Sequence, residues 1–299
     1  MIKTVVNYNL CKYEWEPHEI EYLKMNYYLK SVKELTKYLG ISQITLDKKV
    51  KELGIPMKGR DKRNIPYEIR RTTKVNDDFF SVPGLKNSYW AGFLAADGCI
   101  TSDHKRVGLQ IAQLDIEHVK NFIKTVGFDG KLSVYTRKNG TKMCNVSINS
   151  LQICNDLEKN FSIVPKKSLI LKPPRNLTNE QKDAFIAGYI DGDGCIGLDV
   201  RYSRKTLRLS VRGTKEMNEF IRNRFKEILE PHKSEFGYRF KFGGMTTERQ
   251  DREQNKNHCK YDLYGIAFCK IVESYQKYNL PWLERKWGKI GQIGVLENR

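Results

Sequence analysis

The sequence predicts an α+β protein: a small all-α N-terminal domain followed by two pseudo-symmetric αββαββα repeats. Three observations predict it. The decapeptide AGFLAADGCI at 91–100 returns as AGYIDGDGCI at 187–196, identical at six of ten positions and 96 residues later. Each copy is followed by period-2 strand patterns interleaved with 3.6-period helical ones. Ahead of the first copy lie three short segments bounded by helix start and stop signals. A repeat of that length means a duplicated domain rather than a solenoid. The expected organisation is a helix-turn-helix-like module at 1–56, a basic linker at 57–88, a first repeat at 89–170, a second linker at 171–184 and a second repeat at 185–299.

In the N-terminal module, Pro17 suits the first turn of a helix running to about Tyr28. Ser31 and Glu34 have capping-box spacing and start a second helix, which Gly40 ends. Ser42 starts a third, on which Leu46, Val50 and Leu53 recur at i, i+4 and i+7, and Gly54 and Pro56 stop it. Two short helices across a tight Gly turn, after an initial helix, have the pattern of a helix-turn-helix. Its recognition helix would expose Gln43, Thr45, Lys48 and Lys49 to DNA. A plain three-helix packing unit has the same pattern. Between Lys58 and Lys74 the linker carries Lys58, Arg60, Lys62, Arg63, Arg70, Arg71 and Lys74 against Asp61 and Glu68. Lys58, Arg60, Arg70 and Arg71 would lie along a phosphate backbone, or the stretch is a solvated tether.

Within the first repeat, Val107, Leu109 and Ile111 alternate along 107–113, and Asp115 caps a helix carrying Val119, Phe122, Ile123 and Val126. Strands at 131–137 and 144–148 and a helix from Ser150 to about Asn160 complete it. The second repeat follows suit. A strand at 206–212 precedes a helix capped by Thr214, strands are expected at 236–242 and 261–265, and a helix runs from Ala267 to about Tyr278. The polar stretch 246–258 reads as a loop. The strands are two-faced: Gln110, Ala112, Asn145, Ser147, Arg208, Ser210, Arg212, Arg239 and Lys241 fall opposite the apolar side. A basic sheet face can enter the DNA major groove, whereas an ordinary solvated face would not need the excess of Arg and Lys.

Bulk composition agrees with a polyanionic partner. Lys and Arg number 53 against 35 Asp and Glu, a formal charge of +18. No apolar run is long enough to span a bilayer and no signal-like leader opens the chain, so a cytoplasmic or other DNA-containing intracellular location is expected, with no membrane partner. Seven Cys without a C-x-x-C suggest reduced thiols, and Cys99 and Cys195 are expected to be small buried residues.

The decapeptide itself has a physical reading. Gly92 with Ala96, and Gly188 with Gly192, put small residues at i and i+4 on one helix face. Two such stripes allow close backbone approach. If the two helices pack side by side and parallel, Asp97 and Asp193 meet at their C-terminal ends. Adjacent carboxylates at the negative ends of two helix dipoles need positive compensation. Divalent cations held by oxygen ligands would supply it, and beside a basic surface they point to phosphodiester hydrolysis.

These residues carry a resemblance. AGFLAADGCI and AGYIDGDGCI are similar to the two motifs of the single-chain, two-repeat LAGLIDADG homing endonucleases, and the resemblance covers residues 89–299. It implies a saddle of two sheets holding a long, asymmetric double-stranded DNA site, bound by a monomer. It implies Mg2+-dependent cleavage of both strands, with two or more ions (Mn2+ a substitute) and short 3′ overhangs, in the service of intron homing. It places the essential acids on Asp97 and Asp193, with the carbonyls of Ala96 and Gly192 in the metal shell. It puts a water-organising polar residue near Gln113 and Arg212, and a basic residue that supports the transition state at Lys166 or Lys167 and at Lys286. Ala95 departs from the motif where Asp191 keeps its acid. Two other readings use the same scaffold: a DNA-binding regulator without catalysis, and a maturase that binds intron RNA.

Overall fold

The computed structural model describes residues 13–55, 73–201, 204–236, 241–247 and 257–291. It divides into two compact units, 1–72 and 73–299.

The described part of the first unit is three helices, α1 (Pro17–Asn26), α2 (Val32–Leu39) and α3 (Gln43–Glu52). Their starts and stops follow the sequence signals. The Ser31 hydroxyl accepts from the Glu34 amide at 3.2 Å, and the Glu34 carboxylate accepts from the Ser31 amide at 2.8 Å. Gly40 ends α2 in the left-handed region at φ +65°, where a side chain would be strained. Leu23, Tyr27, Leu35, Leu39, Leu46 and Val50 form the unit's own core. Six buried side chains among the described residues leave little reserve, so the caps matter. Ser31→Ala should cost about 1 kcal/mol and lower the urea midpoint of this unit while leaving that of the second unit in place.

The second unit contains both repeats. The first runs α4 (Leu85–Asp97), β1 (Gly98–Ile100), β2 (Arg106–Ala112), α5 (Ile116–Thr125), β3 (Ser133–Thr136), β4 (Lys142–Asn149) and α6 (Leu151–Phe161). The second runs α7 (Asn179–Asp193), β5 (Gly194–Arg201), β6 (Arg204–Thr214), α8 (Lys215–Leu229), the single turn α9 (Lys233–Phe236), β7 (Gly244–Thr247), β8 (His258–Tyr264) and α10 (Gly265–Gln276). A final helix, α11 (Glu284–Gly291), follows. Each repeat folds into a four-stranded antiparallel sheet, ordered β1-β2-β4-β3 and β5-β6-β8-β7. One hydrophobic core runs through both, from Phe80 to Trp287. The alternation read from sequence decides which side of each sheet is buried: Val107, Leu109 and Ile111 face inward, Gln110 and Ala112 outward.

Several expectations need correction. The strand placed over 236–242 is not there. Phe236 ends α9, residues 237–240 lie outside the described residues, and the edge strand begins at Gly244. Gly243 explains the shift. It turns the chain at φ +78°, and a Cβ there would lie 2.6 Å from the Asp262 carbonyl oxygen. Thr246 and Thr247 therefore belong to β7 and His258 to β8, while 248–256 lie outside the described residues. Cys99 and Cys195 are exposed, not buried. In β1 and β5 their neighbours Gly98, Ile100, Gly194 and Ile196 take the inward positions, and period-2 alternation sends the thiols out. Asp115 occupies the cap position of α5, but its side chain does not cap; it pairs with Arg285. Of the basic linker, 57–72, with Lys58, Arg60, Arg70 and Arg71, lie outside the described residues. Residues 73–88 are folded: the Asn76 amide donates to the Val126 carbonyl at 2.9 Å and Phe80 is fully buried.

Candidate paired-carboxylate centre and sheet faces

Helices α4 and α7 pack against each other along their small-residue stripes. A Cβ on Gly92 would fall onto the Phe185 carbonyl, 2.8 Å from its carbon and 2.9 Å from the Tyr189 amide nitrogen. A Cβ on Gly188 would meet the Tyr89 carbonyl and lie 2.9 Å from the Phe93 amide nitrogen. The two contacts mirror one another, as a pseudo-twofold axis between the helices requires. At the far end a Cβ on Gly192 would run into the Ala96 side chain and sit 3.3 Å from Asp97 Oδ2. The helices are therefore parallel, and they deliver Asp97 and Asp193 together at their C-terminal ends.

Both carboxylates reach solvent, yet their surroundings disfavour charge. Burial, with Asp193 alongside, pushes Asp97 up to about 6, against the pull of Lys286 and Lys167. Burial likewise raises Asp193, and Lys167, Lys286, His258 and the Tyr189 hydroxyl oppose the rise. Two ammonium groups compensate from below. Lys167 Nζ donates to the Ala96 carbonyl at 2.9 Å. Lys286 Nζ reaches the carbonyls of Ile190 (3.1 Å), Asp191 (2.6 Å), Gly192 (3.0 Å) and Gly194 (2.7 Å). They cluster where α7 ends and β5 begins; the Ile190 carbonyl also accepts from the Gly194 amide. Burial lowers both lysines and the aspartates hold them up. Of the two alternatives at VPKKS, Lys167 is the buried one directed at the centre, while Lys166 is exposed and takes a left-handed φ of +56°.

Asp191, the acid that Ala95 lacks, does not join the pair. It is buried and pushed up to about 6 by that burial, and it accepts from Tyr89 Oη (2.5 Å), Trp287 Nε1 (2.6 Å) and the Leu283 amide (3.1 Å). His118 touches the same Tyr89 hydroxyl at 3.1 Å, and burial pushes its imidazole down to about 4.

Strand register re-pairs the polar positions. Gly98 lies opposite Leu109 and Gly194 opposite Val211. Gln110 is therefore the counterpart of Arg212, not Gln113. Gln113 sits in a 3-10 turn after β2, and its Oε1 is buried with no hydrogen-bond partner among the described residues. Across the next strand Gln110 faces Asn145, and Arg212 faces Lys260. The outward positions nearest the carboxylates are thus two amides in the first sheet and two cations in the second. Gln110 donates from Nε2 to the Tyr135 hydroxyl and accepts from Arg137 Nη2 at 3.2 Å. Arg208 is tied to Asp262 at 3.1–3.2 Å, with Lys260 on the other carboxylate oxygen at 2.8 Å. Asp193, Cys195, Ser210, Arg208, Arg212 and Lys260 line a concavity of about 490 Å3. Lys260, Asp262, Tyr135 and Arg137 were not singled out from sequence; the alternation of β8 alone puts Lys260 on the outward face. Lys241 is exposed, and Arg239 lies outside the described residues. In the first unit Gln43 and Lys48 on α3 are exposed and Thr45 half-buried; Lys49 pairs with Glu52 at 2.9 Å beside the Trp15 ring.

The donor set suits a hard cation. Two converging carboxylates with neighbouring main-chain carbonyls are oxygen ligands, and Mg2+ is commonly held by one or two carboxylates, with waters and substrate phosphates completing the shell. Among the described residues no group of three or more His, Cys, Asp or Glu is placed to hold a metal.

No family model and no curated protein matches the chain. It is similar to solved structures of LAGLIDADG homing endonucleases. The meganuclease I-SmaMI bound to uncleavable DNA matches at 13% identity and TM-score 0.41, over 70% of this chain and 91% of that one. The I-LtrWI LAGLIDADG homing endonuclease bound to target DNA matches at 12% identity and TM-score 0.46, over 75% and 92%. Full-length DUF199/WhiA from Thermatoga maritima matches at 12% identity and TM-score 0.40, over 74% and 71%. Among the described residues no helix is long and apolar enough to cross a membrane.

Proposed function

We propose that this chain is a site-specific, Mg2+-dependent DNA endonuclease that cuts both strands of a long asymmetric site. The observation that carries the reading is the convergence of Asp97 and Asp193 at the ends of two tightly packed helices, with Lys167 and Lys286 beneath them. A fold gains nothing in stability from two carboxylates placed in that position, because each raises the cost of ionising the other. Such an arrangement makes sense where a cation is bound.

Asp97 and Asp193 would hold Mg2+, with the Ala96 and Gly192 carbonyls at the edge of the shell. Bound there, Mg2+ supplies Lewis acidity to the attacking and leaving oxygens of a phosphodiester. Lys286 shares three N–H groups among four carbonyls, so it acts through its charge rather than as a proton donor. Lys167 has one carbonyl partner at the centre and retains N–H groups for a phosphate oxygen. Arg212 and Lys260 would grip backbone phosphates on one side, and Gln110 and Asn145 would present amides to base edges on the other. The exposed residues of α3, with the basic segment 58–71, would extend the contact, and the net charge of +18 would favour association with DNA.

The test is cleavage of a pooled genomic library by the full chain, in Mg2+ and separately in Ca2+. Breaks at one or a few sites, present only with Mg2+, are expected. Specific binding without breaks would instead favour the regulator, and the absence of specific DNA binding would turn attention to intron RNA.

A further inference from the structure

We infer that α11 is a latch that seats Lys286 beneath one half of the centre, and that Asp191 and Asp115 are the positioning residues that keep it closed. The inference rests on the endonuclease reading for its consequence and on geometry for its cause.

Lys286 comes from beyond α10, the last helix that has a counterpart in the first repeat. It lies at the start of an eight-residue helix that follows the last repeat helix, with Tyr278–Leu283 as an irregular connector. A helix that short does not hold itself. Its anchors are side chains of other elements. Asp191 of α7 receives the Leu283 amide and the Trp287 indole N–H, one turn apart on either side of Lys286. Tyr89 of α4 donates to the same carboxylate, which brings the first repeat into the joint. Arg285 forms a bidentate pair with Asp115, both contacts at 2.6 Å, so its guanidinium is fixed to the start of α5. Residues 283, 285 and 287 are thus each tied to a carboxylate, and Lys286 between them has no freedom to leave the four carbonyls it caps.

The other half-site is held differently: the turn that carries Lys167 is tied through main-chain carbonyls, with Asn257 Nδ2 donating to Leu169 at 3.0 Å and Thr214 Oγ1 to Leu171 at 2.7 Å. Ala95 stands where Asp191 would be, and Lys167 is carried by a 3-10 turn in the connection between the repeats. Lys286 Nζ hydrogen-bonds to carbonyls at the end of α7 and reaches Asp97 only through its charge, so disturbing the latch should affect one half-site far more than the other. A merely structural role would weaken both.

Single-turnover cleavage of the identified site, resolved by strand, tests this with Asp191→Asn, Trp287→Phe and Asp115→Asn. Each should slow one strand by roughly 10–100-fold, as loss of an outer-shell partner does. The other strand and the DNA Kd should stay within about twofold, so that nicked product accumulates. Asn218→Ala is the control. It removes the buried Asn218 hydrogen bond to the Cys259 carbonyl of the same repeat, 2.8 Å long, and should destabilise without changing the strand ratio. Equal slowing of both strands, or the same strand ratio in the control, would overturn the latch. Hydrogen exchange provides a readout free of activity. Amides of 284–288 should exchange at least tenfold faster in Asp191→Asn while those of α4 keep their protection. Unchanged exchange there would overturn the latch even if the wild type cuts. If the wild type cuts nothing, the endonuclease reading falls, and exchange alone decides whether Asp191 holds α11.

Discussion

Asp97→Asn and Asp193→Asn should each abolish double-strand cleavage while leaving specific DNA binding nearly unchanged. Loss of an outer-shell partner of a metal costs 10–100-fold, so loss of a direct ligand should cost more, on the order of 1,000-fold. Binding rests on phosphate and groove contacts spread over two sheets, and one carboxylate adds nothing favourable to them. The same substitution carries a stability signature that needs no DNA. Asp97 titrates near 6 when folded, above its ordinary value of 3.8. Between about pH 4 and 6 the folded state therefore binds more protons than the unfolded one, and stability falls as pH rises through that window. At pH 8 in EDTA the wild type bears the full cost of the paired charges, and Asp97→Asn should have the higher Tm. Below pH 4 both forms are neutral at this position and the advantage should vanish. Mg2+ should raise the wild-type Tm at pH 8 and leave that of the variant where it was, because only a bound ion stabilises by mass action. A metal-dependent Tm gain preserved in the variant would remove Asp97 from the metal site. Because a proton and the ion compete for Asp97, the Mg2+-dependent Tm gain at a fixed Mg2+ concentration should shrink as pH falls below about 6.

These carboxylates could be located from the sequence because the signal is local and doubled. Gly92 and Gly188 sit at one fixed distance before an Asp in each copy, and the stripe, the close approach and the shared end all follow from that spacing. The three N-terminal helices were visible for the same reason: Ser31, Glu34, Gly40 and Ser42 act within a turn of where they stand in the chain. What depended on register was lost. The hairpin between β1 and β2 differs in length from that between β5 and β6, so aligning the repeats by their strand patterns pairs Gln113 with Arg212, while the hydrogen-bonded ladder pairs Gln110 with it. What depended on contacts distant in sequence was lost too. Asp115 looks like a cap because it precedes a helix, and only the fold brings it to Arg285, 170 residues away. Asp191 looks like a motif acid, yet its partners are Tyr89, Leu283 and Trp287. Cys99 and Cys195 were misplaced by residue type, since a free Cys is usually buried, whereas the strand period turns both outward.

Gly92→Ala should be among the most damaging single-methyl changes in the second unit. By helix propensity alone it would be favourable by about 1 kcal/mol, since Ala replaces Gly inside α4. The new methyl has no room, however. It would land on the Phe185 carbonyl, and its neighbours are main-chain atoms of α7 that no rotamer change can move. Overpacking costs about 1–3 kcal/mol where side chains can yield, and a clash with backbone belongs at or above that upper end. The clash should outweigh the propensity gain and lower Tm by about 5–10 °C, at roughly 2–4 °C per kcal/mol for a unit of this size. Activity should fall further than stability. The helices can only relieve the clash by separating or sliding, and either motion pulls Asp97 and Asp193 apart; a 1 Å misplacement can cost about 100-fold. Gly188→Ala should behave in the same way, and the double variant should cost less than the sum of the two, because one separation relieves both clashes. Gly84→Ala, at the start of α4, is the control, for a Cβ there has its nearest neighbour, Asn87 Oδ1, at an ordinary 3.7 Å. Thermal melts and single-turnover cleavage of these variants at one temperature, well below every Tm, separate the two effects. A Gly92→Ala protein as stable and as active as wild type would mean that α4 and α7 do not approach at backbone distance, and that the carboxylates need not meet.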